Sequence, residues 1–188
     1  MTIQTHSNLE SILVYENDQV LYRFMGKFDV SLEEARGIFT STKQWLWLNQ
    51  QPSVPPLAIT EPIAIIDEMW HNFILFTCEY TEFCRHFFGA YIHHAPVSHR
   101  DKERMAEERA LDPDYFVQHR AQQMREQCAL VYDLLGEDTL LRWYVEYPSR
   151  YGTAFFTHRR IVRPVDWQPT EGLRRMYENS RSQAPLSH

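Results

Sequence analysis

The chain has 188 residues, a formal net charge of −6 and 14% aromatic residues. At 44% hydrophobic residues it has enough apolar material for one real core, which excludes a disordered or low-complexity protein. No apolar run approaches the roughly 20 residues that cross a bilayer, and the polar start Met1–Glu10 lacks a secretory leader pattern.

Helical signals dominate the chain. Ile12–Tyr15 reads as a short strand or as part of a longer first helix, and Asn17-Asp18 can cap a helix from about Gln19 to Phe28. Ser31-Leu-Glu-Glu34 is a capping box, and the helix it opens carries Ala35, Ile38, Phe39, Trp45, Leu46 and Leu48. A proline-rich loop, Gln50–Pro56, must end that helix. From Glu61-Pro62 no breaker appears until Gly89, so a central aromatic helix of about 27 residues, about 40 Å long, is expected, either kinked or divided in two. After a loop at Pro96–Ser98, Arg100–Ala110 and Tyr115–Leu135 are helical, separated by Asp112-Pro113. Asp138 then caps Thr139–Tyr147, which Pro148 stops. Arg150–Pro164 suits a minor hairpin or an ordered loop, and Thr170–Asn179 a last short helix. The expected fold is all-α: a single-domain bundle of about six helices over residues 1–178, with a disordered tail at 179–188.

Charge and cysteine usage narrow the partners. The segment from Arg142 to Arg181 holds eight arginines against Glu146, Asp166, Glu171 and Glu178. It either grips an anion or docks on the acidic remainder, and the net negative chain argues against nucleic acid. Cys78, Cys84 and Cys128 are too few for a disulfide framework and carry no nucleophile motif, so they are expected as inert core thiols. No glycine-rich phosphate loop is present, hence no nucleotide cofactor is expected. The chain reads as soluble, cytoplasmic and reduced, without a membrane role.

Chemistry is concentrated in Asp67-Glu-Met-Trp-His71. On a helix, Asp67 and His71 at i,i+4 share a face, and Glu68 and His71 at i,i+3 have the spacing of helical carboxylate–imidazole metal sites. Leu75, Cys78, Glu82 and His86 continue the stripe. A second cluster puts His86, His93, His94 and His99 within fourteen residues. Helix geometry constrains how the two relate. An unbroken helix from His71 to Gly89 spans about 27 Å, whereas the residues from Gly89 to His94 retrace at most about 17 Å. His71 can therefore share an ion with His93 and His94 only if the helix breaks, for which Thr77–Glu79 is the expected place. Were it intact, His119 or His158 would have to complete the Asp67/His71 region.

The same residues carry a resemblance. Asp67-x-x-Trp70-His71, then Phe76-Thr77-x-x-Tyr80-x-x-Phe83-Cys84, then Phe88-Gly89-x-Tyr91-x-His93-His94-x-Pro96 resembles the core motif of the glycine-rich domain-containing protein-like family, in its shorter bacterial form. Including Arg23-Phe24 and Trp45–Leu48, the likeness covers about residues 20–96. The resemblance marks Asp67, Trp70, His71, Tyr80, Cys84, Gly89 and His94, but implies no reaction. Plant members read Trp-His-x-His, and here Phe73 takes the second histidine's place.

Two functions follow. One is a metal-binding helical protein, in the stronger form a small oxidative or hydrolytic metalloenzyme acting on a small molecule. Its ligands would come from Asp67, His71, His93 and His94, with Glu68, His86, His119 and His158 as alternatives, and the mixed ligand set suits iron(II) or zinc(II). The other is a non-catalytic helical module for a protein partner, its histidines structural.

Overall fold

A computed structural model describes residues 8–158 apart from 53, 56 and 96, together with 171 and 175. The described residues are helical with no strand, so the all-α expectation holds. Of the expected helix at 170–179 only Glu171 and Arg175 are described, both helical and paired with each other, and the 179–188 tail and the four arginines from Arg159 to Arg174 fall outside the described residues.

Of Ile12–Tyr15, Ile12 and Leu13 close a short helix of their own, and Val14 and Tyr15 lie beyond its end, so the run is neither a strand nor part of a longer helix. α1 (Leu9–Leu13) starts where the Asn8 side chain accepts from the Glu10 amide, and α2 (Asp18–Met25) starts at Asn17, which accepts from Val20. α3 (Leu32–Leu48) opens with the full capping box: Ser31 Oγ accepts from Glu34 N, and the Glu34 carboxylate accepts from Ser31 N. This helix is the middle of the bundle, and four consecutive polar residues on it are buried. Each makes at least one hydrogen bond, although Gln44 Oε1 is left without a partner. Ser41 bonds the Tyr147 hydroxyl at 2.8 Å, Thr42 donates to Ile38 O at 2.9 Å, Gln44 donates to Thr139 at 3.4 Å, and Lys43 donates to Leu13 O and Tyr15 O at 2.7 Å each. Lys43 thus ties off the carbonyl end of α1 from inside the core, which a buried ammonium requires.

The element expected as one long helix is two. After a 3₁₀ turn at Glu61–Ile63, α4 (Ala64–Ile74) stops and α5 (Thr77–Phe88) begins, joined through Leu75 and Phe76. The break lies just before the expected Thr77–Glu79. No proline or glycine makes it: Phe76, at φ −87° and ψ 68°, leaves the helical region while both flanking helices keep their aromatics on one core. Phe73 sits in that core with Tyr15, Phe39, Tyr80 and Phe83, at centroid separations of 5.1–6.0 Å. The stripe expected along an intact helix is broken up by this junction, since Leu75, Cys78, Glu82 and His86 are all exposed.

α6 (His99–Leu111) is capped by Ser98, and α7 (Pro113–Leu135) by Asp112 with Pro113 in its first turn. α8 (Glu137–Leu141) starts at Gly136 rather than Asp138, and Pro148 does not end the helix. A π-helical turn at Arg142–Glu146 precedes α9 (Tyr147–Arg150), with Tyr147 N donating to Arg142 O. The wider turn accommodates a proline ring that would clash with an α-helical carbonyl four residues back. Where a hairpin was allowed after Arg150, the described residues form α10 (Thr153–His158) instead. Phe155 and Phe156 pack on Phe28 at 5.7 and 6.0 Å, a neighbouring pair that a strand would have sent to opposite faces.

Candidate metal centre

Splitting the central helix returns the chain on itself. Gly89 ends α5 at φ +74°, a left-handed position that glycine adopts without strain, and the irregular segment 91–95 brings His94 against α4. A relay of hydrogen bonds sets the segment's register. Trp70 Nε1 donates to Tyr80 Oη at 2.9 Å, and Tyr80 donates to the Ile92 carbonyl at 2.8 Å. Burial raises the Tyr80 pKa, so the phenol stays protonated as a donor. Cys84 packs at the same point; burial pushes its thiol up, while the Ile92 backbone and the Tyr80 hydroxyl act the other way.

With Ile92 pinned, His94 lands on α4. Its Nε2 lies 2.8 Å from Asp67 Oδ1, and His71 Nδ1 lies 3.4 Å from Asp67 Oδ2. The His94 ring is held between Trp70, at 4.2 Å, and His71, at 4.4 Å and nearly parallel. One donor atom from each of Asp67, His71 and His94 lies within 4.8 Å of the others. Donors around one ion at about 2.1 Å are separated by about 3.0–3.4 Å, so small side-chain shifts suffice to hold a cation. Exposure grades across the group: the His94 side chain is 13% exposed, Asp67 29% and His71 50%. The centre is therefore anchored on the protein side and open on the other.

The remaining candidates are elsewhere. His93 supplies no donor atom to the group: its ring lies against Tyr91 at 4.8 Å, and it lines the cleft beside the group. Glu68 is ion-paired with Lys27. His86 packs on Phe87, and His119 stacks on Tyr115 of α7. The His158 side chain falls outside the described residues. Of the arginine-rich segment, Arg150 pairs with Glu34 and with Glu146, docking on acidic groups of the chain itself.

A cleft of about 640 Å³ adjoins the centre, lined by Asp67, Trp70, His93 and His94 and by the loop residues Asn49, Gln50, Val54 and Leu57. The part played by that loop carried no sequence signal beyond its prolines. One wall is tied by a single side chain. Gln127 of α7 pairs with the Ala58 peptide in both directions, donating to its carbonyl at 3.1 Å and accepting from its amide at 3.3 Å, and also donates to Tyr144.

The fold and the site define an all-α protein whose one candidate ligand cluster among the described residues is an aspartate with two histidines. By sequence it belongs to the UCP032817-like family, whose model matches residues 15–132, more than half of the chain and the whole of the site. No curated protein and no solved structure matches it.

Proposed function

We propose that the protein binds one divalent transition ion, iron(II) or zinc(II), through Asp67, His71 and His94, and acts on a small molecule at that ion by oxidative or hydrolytic chemistry. The observation that carries this reading is the convergence of the three donors from two separate segments onto one open-sided point beside a cleft. Two histidines and one carboxylate leave coordination positions free, as in non-haem iron and catalytic zinc sites. The same positions carry the likeness to the glycine-rich domain-containing protein-like family, and the reading extends to that likeness. No described helix is long and apolar enough to cross a membrane, which fits a cytoplasmic enzyme.

One observation favours a second reading, a non-catalytic module for a protein partner. Asp67 already has a partner at 2.8 Å in His94, and the two imidazoles stack, so the group is complete as a structural fixture. Elemental analysis of the full chain, purified untagged after iron and after zinc supplementation, separates the two. The metal reading requires close to one equivalent of a single metal in the wild type and in His93→Ala, lost in His94→Ala and in Asp67→Asn. Metal-free protein whose melting is unchanged by Fe(II), Zn(II), Cu(II) or Mn(II), with His71→Ala lowering only its stability, would establish the structural reading.

A further inference from the structure

The cleft specifies what kind of molecule meets the ion, an inference that rests on the metal reading above. Its boundary is mostly apolar, with Trp45, Leu57, Trp70 and Ile92 among its walls, and the described residues that line it include no lysine or arginine. Among them Asp67 is the only carboxylate, and His93 and His94 are the imidazoles. Away from the centre it is bounded by Asn49 and Gln50 at the carboxyl end of α3, where helix carbonyls carry partial negative charge. Asn49 donates one Nδ2 hydrogen to the Trp45 carbonyl at 2.8 Å, which leaves its side-chain oxygen as an acceptor and its second N–H as a neutral donor. A bound ion would be the one fixed cation among the described lining, with the His93 imidazole next to His94 as the other nitrogen group near it. An anionic or chelating head is met there, whereas a second anion by Asn49 and Gln50 would be desolvated with neutral amides in place of a cation. The volume lies in the range that encloses a ligand of one or two rings.

We infer that the ligand is a single-headed amphipathic small molecule: one oxygen-donor head that coordinates the ion and a flat apolar body lying along the indoles. Its far end carries no anion and at most a neutral hydrogen-bonding group. Phosphorylated metabolites, nucleotides and dicarboxylates would meet no cationic side chain of the described lining at that end.

The test uses the full chain loaded with Co(II), whose visible spectrum reports ligands entering its coordination sphere, and a matched set of hydroxamates. 2-Naphthohydroxamate has the head and the body, acetohydroxamate the head alone, and the 6-carboxy and 6-hydroxy naphthyl analogues add an anion or a neutral donor at the far end. The inference requires all four to perturb the cobalt spectrum. The naphthyl compound should bind at least tenfold more tightly than acetohydroxamate, the 6-hydroxy analogue should equal it, and the 6-carboxy analogue should lose at least tenfold. Leu57→Asp should remove the naphthyl advantage while cobalt uptake stays at one equivalent. Equal affinities for the naphthyl and acetyl probes, or for the 6-carboxy and parent naphthyl probes, on protein that holds cobalt would overturn the ligand class and leave the metal site standing. Failure to take up cobalt, read separately by dialysis, would overturn both.

Discussion

The body built from α3, α4 and α5 and the arm built from α6 and the first half of α7 are equally helical but are held by different physics. In the body, every helix buries an aromatic or aliphatic stripe, and α3 buries even its polar residues. In the arm, α6 has no buried residue, and α7 buries only Gln127 and Val131, both in its second half. What holds α6 is local: the Ser98 cap, and spaced ion pairs such as Arg104 with Asp101 and with Glu108 and His99 with Glu103. Pairs of this kind contribute about 0.2–0.5 kcal/mol each, against several kcal/mol for a buried aromatic. A cap thus specifies where a helix begins, while its stability depends on the surface it covers.

The sharpest way to break the comparison is to truncate one aromatic in each region. Phe73→Ala should cost about 3–5 kcal/mol in urea unfolding, because Phe73 is fully buried among four rings. Tyr115→Ala, on the exposed face of α7, should change stability by less than about 0.5 kcal/mol. Equal effects would mean that the arm packs as tightly as the body.

Lys43 gives the next largest effect. Its pKa is pushed down by burial to about 8 from 10.5, partly opposed by Glu16. Between those values the unfolded chain holds more protons than the folded one, so stability rises with pH and the desolvation cost is fully present below pH 8. The stability difference between wild type and Lys43→Met should therefore move in favour of the wild type by about 1 kcal/mol per pH unit from pH 8 to 9.5. The comparison cancels the buried tyrosines, whose raised values act with the opposite sign above pH 10. A flat difference would place the Lys43 ammonium in water rather than in the core.

The smallest effect is the most diagnostic of the two regimes. Ser31→Ala and Ser98→Ala remove equivalent caps, each accepting at 3.1 Å from the amide three residues on. Ser31→Ala should lower global stability by about 1 kcal/mol. Ser98→Ala should leave the global transition unchanged and speed amide exchange only in α6, as expected of a locally opening unit.

Much of this was legible because it is local. The capping box, the Asn17 cap, the Asp112-Pro113 boundary and the Gly136 stop are written in two to four adjacent residues. The break at Leu75–Phe76 was anticipated only through a distance argument and fell slightly earlier than expected, since no residue there refuses a helix and the cause is packing. The choice of His94 over His93 was not legible either. The register is fixed by the Tyr80 hydroxyl reaching the Ile92 carbonyl, which has no sequence identity. The burial of all four residues Ser41–Gln44, which go round most of the helix, has no local signal and follows only from the elements packed around it. The π-turn before Pro148 lacks a local signature for the same reason.

The Gln127–Ala58 pairing has a consequence for the space around it. Leu57 and Ala58 border the cleft beside the candidate metal centre and also a second cavity, of about 580 Å³, against Met124 and Leu130 of α7. Leu57 and Ala58 thus form a party wall, bolted to α7 by the Gln127 amide. A displacement of these two residues would reshape both chambers at once.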